Sequence, residues 1–360
     1  MGQATSRWLL ERLLAWYDAH ARELPWRAPA GEAPSPYRVL LSEFMLQQTT
    51  VATVKARFGG FLARFPTLPA LARAAESEVL HAWQGLGYYR RARALHACAR
   101  AIVEQHRGQV PGDEKSLRAL PGVGPYTASA IRAIAYGAPS VPVDGNVLRL
   151  MARLHGVETP LPAGVSELRS LAARLSCTDR PGHVAQALMD LGATVCRPRR
   201  PACLVCPWRP ACHAHRAGLV DRLPRLTPRG ERPLRRGLAF LVERPDGAIL
   251  FRRRPAGGLL GRLHELPSSP WKEGPLDVDR ALAHAPSATS WRLHPDTVRH
   301  GFTHFVLELA LVEGRIDRGA PVDCEPEAIW CPPGELDRLA MPTLMKKILR
   351  LAEIAAPARR

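Results

Sequence analysis

The sequence predicts a mainly α-helical N-terminal domain followed by an α+β C-terminal domain. Apolar residues recur at three-to-four spacing through residues 1–213, and the stretch 214–236 is rich in arginine and proline. Beyond it the apolar period becomes strand-like. A length of 360 residues also fits two domains. We therefore divide the chain into a helical domain (1–213), a basic linker (214–236) and a second domain (237–360).

Eight segments of the first domain carry the helical period, and loops with proline and glycine separate them. Ser35-Pro36 is typical of a cap followed by a first-turn proline, so we expect the helix that carries Glu43 to begin there. The predicted helices are Trp8–Tyr17, Val39–Leu46, Val51–Phe65, Leu86–Val103, Ala128–Ala135, Val147–Leu154, Leu168–Leu175 and Val184–Val195.

The second domain begins with a predicted β-hairpin. Its two strands, Leu238–Val242 and Ala248–Phe251, flank the turn signature Pro245-Asp246-Gly247. Further along, Phe302–Val312 is a strand candidate, and Glu335–Ala355 has the pattern of an amphipathic closing helix. This mixture predicts an α+β domain.

The charge balance points to a polyanionic partner. Lys and Arg number 50 against 33 Asp and Glu, a formal charge of +17, which favours nucleic acid; a basic protein with no such ligand is the alternative. The composition excludes intrinsic disorder and collagen. No apolar run approaches a membrane span, and Arg7, Glu11 and Arg12 stand where a signal peptide needs apolar residues. We expect a cytosolic protein without a membrane partner.

Four cysteines crowd into 17 positions, with the spacing C-x6-C-x2-C-x5-C. Thiolates this close can surround one compact centre, and the uneven loops favour an iron–sulfur cluster. Structural zinc more often uses two C-x2-C pairs but stays open as the alternative, as does a chance group of buried thiols. The predicted ligands are Cys196, Cys203, Cys206 and Cys212.

A glycine-containing hairpin, Leu120–Tyr126, precedes a predicted helix. Gly122 and Gly124 allow a tight turn whose N–H groups, together with the positive end of the next helix, suit a DNA backbone phosphate. An ordinary helix connection is the alternative.

Two carboxyl groups have different predicted surroundings. Glu43 lies on a helix with apolar neighbours, which raise a carboxyl pKa, and Asp144 lies between two helices beside Gly145 and Asn146. A carboxyl that can hold a proton and a carboxyl that stays ionised can serve together in acid–base chemistry. The alternative makes Glu43 a surface residue and Asp144 a helix cap.

The hairpin, the aspartate 18 residues beyond Tyr126 and the cysteine loop together resemble the helix-hairpin-helix DNA glycosylases. Within them the match narrows to the MutY-type adenine DNA glycosylases. The segments Leu41–Val51 (LSEFMLQQTTV), Trp83–Tyr89 (WQGLGYY) and Val143–Val147 (VDGNV) carry it. The likeness extends from about residue 7 to residue 350 and is weaker in the second domain.

The resemblance implies removal of adenine paired with 8-oxoguanine or guanine in double-stranded DNA, by a monomeric bacterial protein, cytoplasmic and nucleoid-associated, with a 4Fe-4S cluster. The adenine is flipped from the duplex, Glu43 protonates it and helps activate water, and Asp144 stabilises the cationic sugar. Tyr126 and Asn146 support these groups. The other implied DNA and base contacts are Arg27, Leu46, Gln47, Gln48, Thr49, Tyr88, Gly122, Gly124 and Gln186. For Tyr88, a buried aromatic is the alternative.

In the second domain the resemblance implies a Nudix-like fold that reads 8-oxoguanine. Gly301–Phe305 (GFTHF) matches a loop in which Phe302 wedges beside the lesion and Thr303 and His304 supply polar contacts. Phe302 and Phe305 as sheet core is the alternative. Arg262 and His264 depart from the family pattern, replacing a glycine and an aromatic. Residues 258–285 lack the Glu-rich helix that nucleotide hydrolysis requires.

Lysine usage separates two kinds of glycosylase. Related bifunctional enzymes form a Schiff base with a lysine on the helix after the hairpin, where this chain has Tyr126. We therefore expect a monofunctional enzyme with little lyase activity. A bifunctional pyrimidine-damage glycosylase and an inactive damage-binding protein are the alternatives. The five lysines are Lys55, Lys115, Lys272, Lys346 and Lys347.

Overall fold

Up to residue 216, the secondary-structure elements of the described residues are helices, and the strands of a mixed β-sheet begin at residue 234. The computed structural model describes residues 6–29, 31–228, 230–255, 257–323 and 328–354. The chain divides into two units, Met1–Ala74 with Arg93–Arg229 and Ala75–Ala92 with Gly230–Arg360. None of the described helices combines the length and the apolar character that a bilayer crossing requires.

Every predicted helix of the first domain is present, with shifted ends. The helix predicted over Leu86–Val103 begins only at Arg90, and residues 86–89 before it are irregular. Three helices of six or seven residues were not predicted, since so few residues establish no period. The bounds are α1 Ser6–His20, α2 Pro36–Leu46, α3 Val51–Arg64, α4 Leu68–Arg73, α5 Glu76–Ala82, α6 Arg90–His106, α7 Glu114–Ala119, α8 Pro125–Tyr136, α9 Gly145–His155, α10 Val165–Ala173, α11 Pro181–Asp190 and α12 His213–Arg216, with a π-helix Leu191–Val195 and 3-10 turns Cys203–Val205 and Arg209–Ala211.

Local chemistry explains where the functional helices begin. Ser35 caps α2 as predicted, accepting a hydrogen bond from the Arg38 backbone N–H at 3.4 Å, and Pro36 occupies the first turn.

Trp208, inside the cysteine loop, packs into the core formed by α1, α9, α10 and α11. Its Nε1 donates to the Leu9 carbonyl at 2.9 Å. The cysteine loop is therefore anchored to the helical core.

The second unit is built on one sheet with the strand order β3-β2-β1-β6-β5, with β4 beside β1 and β7 beside β2. β1 and β6 run parallel over ten residue pairs, whereas the other paired strands are antiparallel. Helix α14 covers one face of the sheet and α13 the other. The bounds are β1 Leu234–Glu243, β2 Ile249–Arg253, β3 His264–Glu265, β4 Lys272–Glu273, α13 Val278–Leu282, β5 Arg292–Gly301, β6 Val306–Arg315, β7 Ala328–Cys331, a 3-10 helix Pro333–Arg338 and α14 Thr343–Leu351.

Two predictions for this unit need correction. The strand expected over Phe302–Val312 begins only at Val306, because residues 302–305 form the turn between β5 and β6. The single helix expected over Glu335–Ala355 is interrupted at Pro342, which has no N–H to continue it; Ala355 lies outside the described residues. The hairpin of β1 and β2 is confirmed, with the Gly247 N–H donating to the Arg244 carbonyl at 2.8 Å.

Candidate active site

Glu43 lies in the buried stretch Val39–Met45 of α2, and only 4% of its surface is exposed. Burial raises the pKa of its carboxyl to about 7, the Tyr126 hydroxyl lowers the pKa by hydrogen bonding, and the charge of Asp144 raises it. Its Oε2 is buried and has no hydrogen-bond partner within the described chain. The alternative of a surface glutamate is wrong. Near neutral pH this carboxyl can both hold and release a proton.

Tyr126 follows the hairpin in the first turn of α8. Burial, followed by the charges of Glu43 and Asp144, raises the pKa of its hydroxyl well above the ordinary value. The oxygen also lies 3.7 Å from Met189 Sδ. Tyr126 is therefore a neutral hydroxyl that hydrogen-bonds to Glu43 and is influenced by the charge of Asp144.

Asp144 is the N-cap of α9, so that part of the alternative interpretation is confirmed. Its Oδ1 accepts hydrogen bonds from the backbone N–H groups of Asn146 and Val147, both at 2.9 Å, and its Oδ2 accepts one from Asn146 Nδ2 at 2.7 Å. The three donors and the N-terminus of α9 both favour a negatively charged group at this position. Capping and charge stabilisation are compatible roles for one side chain.

Arg149 connects Asn146 to the cysteine loop. It donates from Nη2 to Asn146 Oδ1 and the Gly192 carbonyl, both at 2.8 Å, and from Nε to the Cys196 carbonyl at 2.8 Å. At Gly192 a Cβ atom would lie 2.6 Å from Asn146 Cβ, so only glycine fits. These contacts fix Asn146, which in turn holds Asp144.

Arg27 is bound to the fully buried Asp190. Its Nη1 and Nη2 donate to the two carboxylate oxygens at 2.8 and 2.7 Å, and Arg22 Nε adds a third hydrogen bond at 2.7 Å. Burial alone would raise the pKa of Asp190, but the two arginines outweigh it and hold the pKa below its ordinary value. The Arg27 guanidinium lies 5.8 Å from the ring centroid of Tyr17, and the Tyr17 hydroxyl donates to Gln186 Oε1 at 3.1 Å. Arg27 and Gln186 therefore share one cluster.

Four predicted contact residues, 46–49, follow one another at the C-terminal end of α2. Leu46 is half-buried, and Gln47 Nε2 lies 3.5 Å from Thr127 Oγ1. Gln48 is exposed and has a φ of 54°, a left-handed conformation that costs free energy outside glycine. The Thr49 hydroxyl donates to the Gln47 carbonyl at 3.3 Å. The turn therefore presents Gln48 to solvent.

The predicted hairpin joins α7 to α8. Gly122 has a φ of 76°, and a Cβ there would lie 2.8 Å from both Ala94 Cβ and Phe44 Cε1. Gly124 has an ordinary φ of −89°, and a Cβ there would meet no atom within 4 Å. The first glycine is thus required by conformation and packing, whereas the second leaves open space before the N-terminus of α8.

Tyr88 belongs to the second unit and is 52% exposed, so the alternative of a buried aromatic is wrong. Its φ is 47°, and the Arg91 guanidinium lies 5.6 Å from its ring centroid. An exposed aromatic held in a strained backbone is suited to inserting into a partner rather than to packing in a core.

The four cysteines line one small cavity, together with Arg153 and His215. Arg153 Nη1 donates to Cys196 Sγ at 3.3 Å. Burial raises the pKa of Cys206 to about 12, and the three other sulfurs of the group also act on it. In the described ranges, no three His, Cys, Asp or Glu side chains are arranged to hold a single metal ion. The sulfurs surround a shared space instead.

The turn expected to read the lesion connects β5 to β6. Phe302 is half-buried, Thr303 and His304 are exposed, and Phe305 is buried in the sheet core. The core alternative therefore holds for Phe305. Arg262 has a φ of 60°, which accounts for glycine being usual in the family at this position.

The sequence did not single out four residues of the first unit that complete the site. Arg149 stands three residues after Asn146 on α9, a spacing that places both on one helix face and offered a signal. The others meet the site through contacts far apart in sequence and gave none. The four residues are Tyr17, Arg149, Asp190 and Gly192.

Comparison with family models assigns both units. Residues 41–173 match the HhH-GPD superfamily of base excision DNA repair proteins, and residues 238–351 match the NUDIX domain. The chain also resembles the structure of a thermostable thymine-DNA glycosylase, with a TM-score of 0.54 and 28% identity. That match covers 59% of this chain and 97% of the other. The helix-hairpin-helix and Nudix-like folds are both confirmed.

Relatives of the same name align with most of the chain. The adenine DNA glycosylase of Rattus norvegicus is 36% identical over 397 residues, covering 95% of this chain and 77% of the rat protein. The adenine DNA glycosylase of Mycolicibacterium smegmatis is 44% identical over 216 residues, covering 58% of this chain and 72% of its own length. By this likeness and by its two folds, the chain belongs to the adenine DNA glycosylase family.

Proposed function

We propose that this enzyme is a monofunctional glycosylase that hydrolyses the N-glycosidic bond of adenine opposite 8-oxoguanine or guanine in duplex DNA. The observation that carries the proposal is the buried Glu43, whose pKa of about 7 and unpaired Oε2 accompany an Asp144 carboxyl that accepts three hydrogen bonds. Two carboxyl groups in such different states match the requirement of glycosidic cleavage.

In the proposed reaction, protonated Glu43 donates its proton to N7 of the flipped adenine. The bond between N9 and the deoxyribose C1′ then breaks, its electron pair leaves with the base, and positive charge develops on the sugar. Asp144 stabilises that charge, while Asn146 keeps its carboxylate oriented. Ionised Glu43 next takes a proton from water, whose oxygen bonds to C1′ and leaves an abasic site.

Arg27 and Gln186 are proposed to line the adenine pocket. Both Arg27 terminal nitrogens are bound to Asp190, so its guanidinium is held in one orientation before the base arrives. Such preorganisation lowers the entropy lost when the base binds. Leu46 completes this pocket in the proposal, and Gln48 and Tyr88 are proposed to wedge into the duplex.

The proposal of a monofunctional reaction rests on the side chain that follows the hairpin. Tyr126 cannot form a Schiff base, and the lysines of the first unit are Lys55 on α3 and Lys115 on α7. Treating a reacting mixture with borohydride should therefore trap little protein on DNA. Trapping as efficient as that of a bifunctional lyase would contradict this part of the proposal.

The four cysteines are proposed to hold a 4Fe-4S cluster. Four sulfurs around one cavity supply one thiolate for each iron, and Arg153 donates a hydrogen bond to one of them. When bound, the cluster would cross-link the loop between Cys196 and Cys212. Purified protein should be brown, with a broad visible absorption and four irons per chain. A colourless sample that contains zinc would support the zinc alternative.

The second unit is proposed to read the base opposite the adenine, through Phe302, Thr303 and His304. The exposure of Thr303 and His304 leaves their polar atoms free for a partner, and Phe302 stands beside them. Nucleotide hydrolysis is not proposed, because residues 258–285 have no Glu-rich helix.

The test of the proposed chemistry is adenine release by Glu43→Gln from a duplex with one A:8-oxoguanine pair. Glutamine keeps the size of the side chain but cannot transfer the proton. We expect the variant to bind the duplex with nearly wild-type affinity and to release adenine at least about a hundredfold more slowly. Glu104→Gln, an exposed change on α6, is the matched control. Near-normal release by Glu43→Gln would exclude Glu43 as the acid.

A further inference from the structure

Trp271 lies in an aromatic cluster beside the turn that connects β5 to β6. Its ring centroid is 5.9 Å from that of Phe302, with the two planes 24° apart, which is a stacked arrangement. Phe305 lies 6.3 Å from Trp271 and 4.8 Å from Phe302. Phe305 is buried in the core, whereas Phe302 and Trp271 are half-buried, so the Phe302 ring is partly exposed and contacts both other rings.

The indole of Trp271 is positioned by packing and not by a polar bond. Its Nε1 is buried and has no hydrogen-bond partner in the described part of the chain. The guanidinium of Arg254 lies 5.2 Å from its ring centroid, a cation–π distance. Arg254 is itself held by the side chain of Glu265, which is 1% exposed, and by the Leu259 carbonyl at 3.0 Å. The Arg254 guanidinium is therefore held at a cation–π distance from the Trp271 ring.

Strand β1 closes the space around the indole. A Cβ atom at Gly237 would lie 2.9 Å from Trp271 Cδ1, closer than real Cβ contacts allow. It would also lie 3.3 Å from Ser269 Oγ, which accepts the Leu238 backbone N–H at 2.9 Å. The absence of a side chain at Gly237 lets the indole approach the backbone of β1.

We propose that Trp271 is a positioning residue for discrimination between 8-oxoguanine and guanine. The inference rests on the proposed function, in which Phe302 wedges beside the lesion. Stacking on Trp271 limits the orientations of the Phe302 ring before DNA binds, so less entropy is lost when the wedge is inserted. The Phe302 backbone is also fixed, because its carbonyl accepts a hydrogen bond from Arg232 Nη1 at 3.0 Å.

This role predicts a selective defect. Glu43, Asp144 and the adenine-pocket residues belong to the other unit, so loss of the Trp271 ring leaves the chemistry of adenine release intact. What is lost is the part of the affinity that depends on the base opposite the adenine. A merely structural tryptophan would instead lower the amount of folded enzyme and reduce binding to every duplex alike.

The experiment compares Trp271→Ala, Trp271→Phe and Phe302→Ala with the wild type on A:8-oxoguanine and A:G duplexes. Dissociation constants are measured at one salt concentration, and adenine release under single-turnover conditions, after titration of active sites. Trp271→Ala should lower the affinity ratio between the duplexes by about tenfold, the upper range for an aromatic pair. Its release rate from A:G should stay within about twofold, and Trp271→Phe should restore most of the ratio.

Gly237→Ala provides a second route to the same result without changing the tryptophan. The added methyl group displaces the indole, so the affinity ratio should fall in the same direction. Gly334→Ala, where a Cβ meets no atom within 4 Å, is the matched control and should leave the ratio unchanged.

The outcomes separate this inference from the proposed function. If Phe302→Ala loses the discrimination and Trp271→Ala keeps it, the proposed function stands and the role of Trp271 is refuted. A uniform loss of affinity for both duplexes in Trp271→Ala also refutes it. If the wild type shows no preference, or Phe302→Ala keeps the preference, lesion reading by this turn is wrong and the role of Trp271 falls with it.

Discussion

At the scale of a single residue, the proton on Glu43 links the proposed catalysis to stability. A carboxyl that is buried among apolar side chains binds its proton more tightly in the folded protein than in the unfolded chain. Protonation of Glu43 therefore stabilises the folded protein, and ionisation of Glu43 lowers that stability. That cost is expected where an acid must work near neutral pH.

The pH dependence of stability tests this interpretation. The pKa of Glu43 rises from its ordinary 4.5 to about 7 in the folded chain. Its contribution to stability is fully present below pH 4.5 and is lost as the pH rises through 7. The full loss is on the order of 3 kcal/mol, at about 1.4 kcal/mol per pH unit. Because glutamine does not titrate, Glu43→Gln should gain stability relative to the wild type between pH 4 and pH 9.

Denaturant unfolding of both proteins at the two pH values measures this difference. Glu104→Gln, whose glutamate side chain is 63% exposed, is the control and should change little with pH. A stability difference between Glu43→Gln and the wild type that does not vary with pH would show that the pKa of Glu43 is not raised.

Individual residues could be predicted where their role is local. The apolar neighbours of Glu43 on α2 and the position of Asp144 before α9 are both readable within a few residues of sequence. Asp190 could not be found in this way, because its partners Arg22 and Arg27 stand 168 and 163 residues away. Only the folded chain brings a buried carboxylate to those two guanidinium groups.

At the scale of elements, the π-helix after α11 places the cysteine loop against the base of α9. Gly192 lies in that π-helix, and its carbonyl accepts a hydrogen bond from the Arg149 guanidinium. Because Gly192 has no Cβ, it also leaves room for the side chain of Asn146. The segment between α11 and Cys196 therefore determines where Asn146 holds the Asp144 carboxylate.

Gly192→Ala should impair catalysis through this contact. The added Cβ would lie 2.6 Å from Asn146 Cβ, so one of the two elements must move. We expect adenine release under single-turnover conditions to fall at least about tenfold, since small displacements of catalytic groups are costly. Gly59→Ala on α3, where a Cβ meets no atom within 4 Å, is the control and should keep full activity. Equal activity of the two variants would contradict the role of Gly192.

The hairpin glycines make a matched pair within one element. Gly122→Ala should lower the unfolding free energy by about 1–3 kcal/mol, because its positive φ and two contacts of 2.8 Å leave no place for a methyl group. Gly124→Ala should leave stability unchanged but weaken binding to DNA, because its methyl group would fill the space proposed for a phosphate. Thermal unfolding and fluorescence anisotropy with duplex DNA measure the two effects. Unchanged DNA affinity in Gly124→Ala would contradict the phosphate contact.

Elements were predictable where the pattern is long and the ends are marked. The start of α2 at Ser35-Pro36 is an example, since cap and proline are local signals. The turn 302–305 was mistaken for strand because its aromatic residues resemble a continuation of β6. Whether Phe302 belongs to a strand or a turn depends on the pairing of β5 with β6, which the local pattern does not encode.

At the scale of the whole molecule, the positive charge behind the net +17 is carried mostly by arginine, and some of these arginines bind other groups of the protein. Arg22 and Arg27 form ion pairs with Asp190. Arg153 donates hydrogen bonds to three carbonyls and a cysteine sulfur. These three guanidinium groups are therefore bound within the protein. Other arginines lie at the surface, and some of these are also in ion pairs, such as Arg7 with Glu11 and Arg315 with Glu243. Composition alone predicted the polyanionic partner, but it could not separate the structural arginines from the exposed ones.

Binding to duplex DNA should therefore weaken with salt, while the bound complex reacts at a rate that salt hardly changes. Each neutralised phosphate contributes a slope of about −0.9 in log K against log salt concentration, so six contacts would give a slope near −5. The proposed chemical step involves the buried Glu43 and the half-buried Asp144, which salt screens less than exposed charges. Anisotropy titrations from 50 to 300 mM potassium chloride measure the slope, and single-turnover release with saturating enzyme measures the rate. A flat binding response would show that the net charge serves another purpose than holding the DNA backbone.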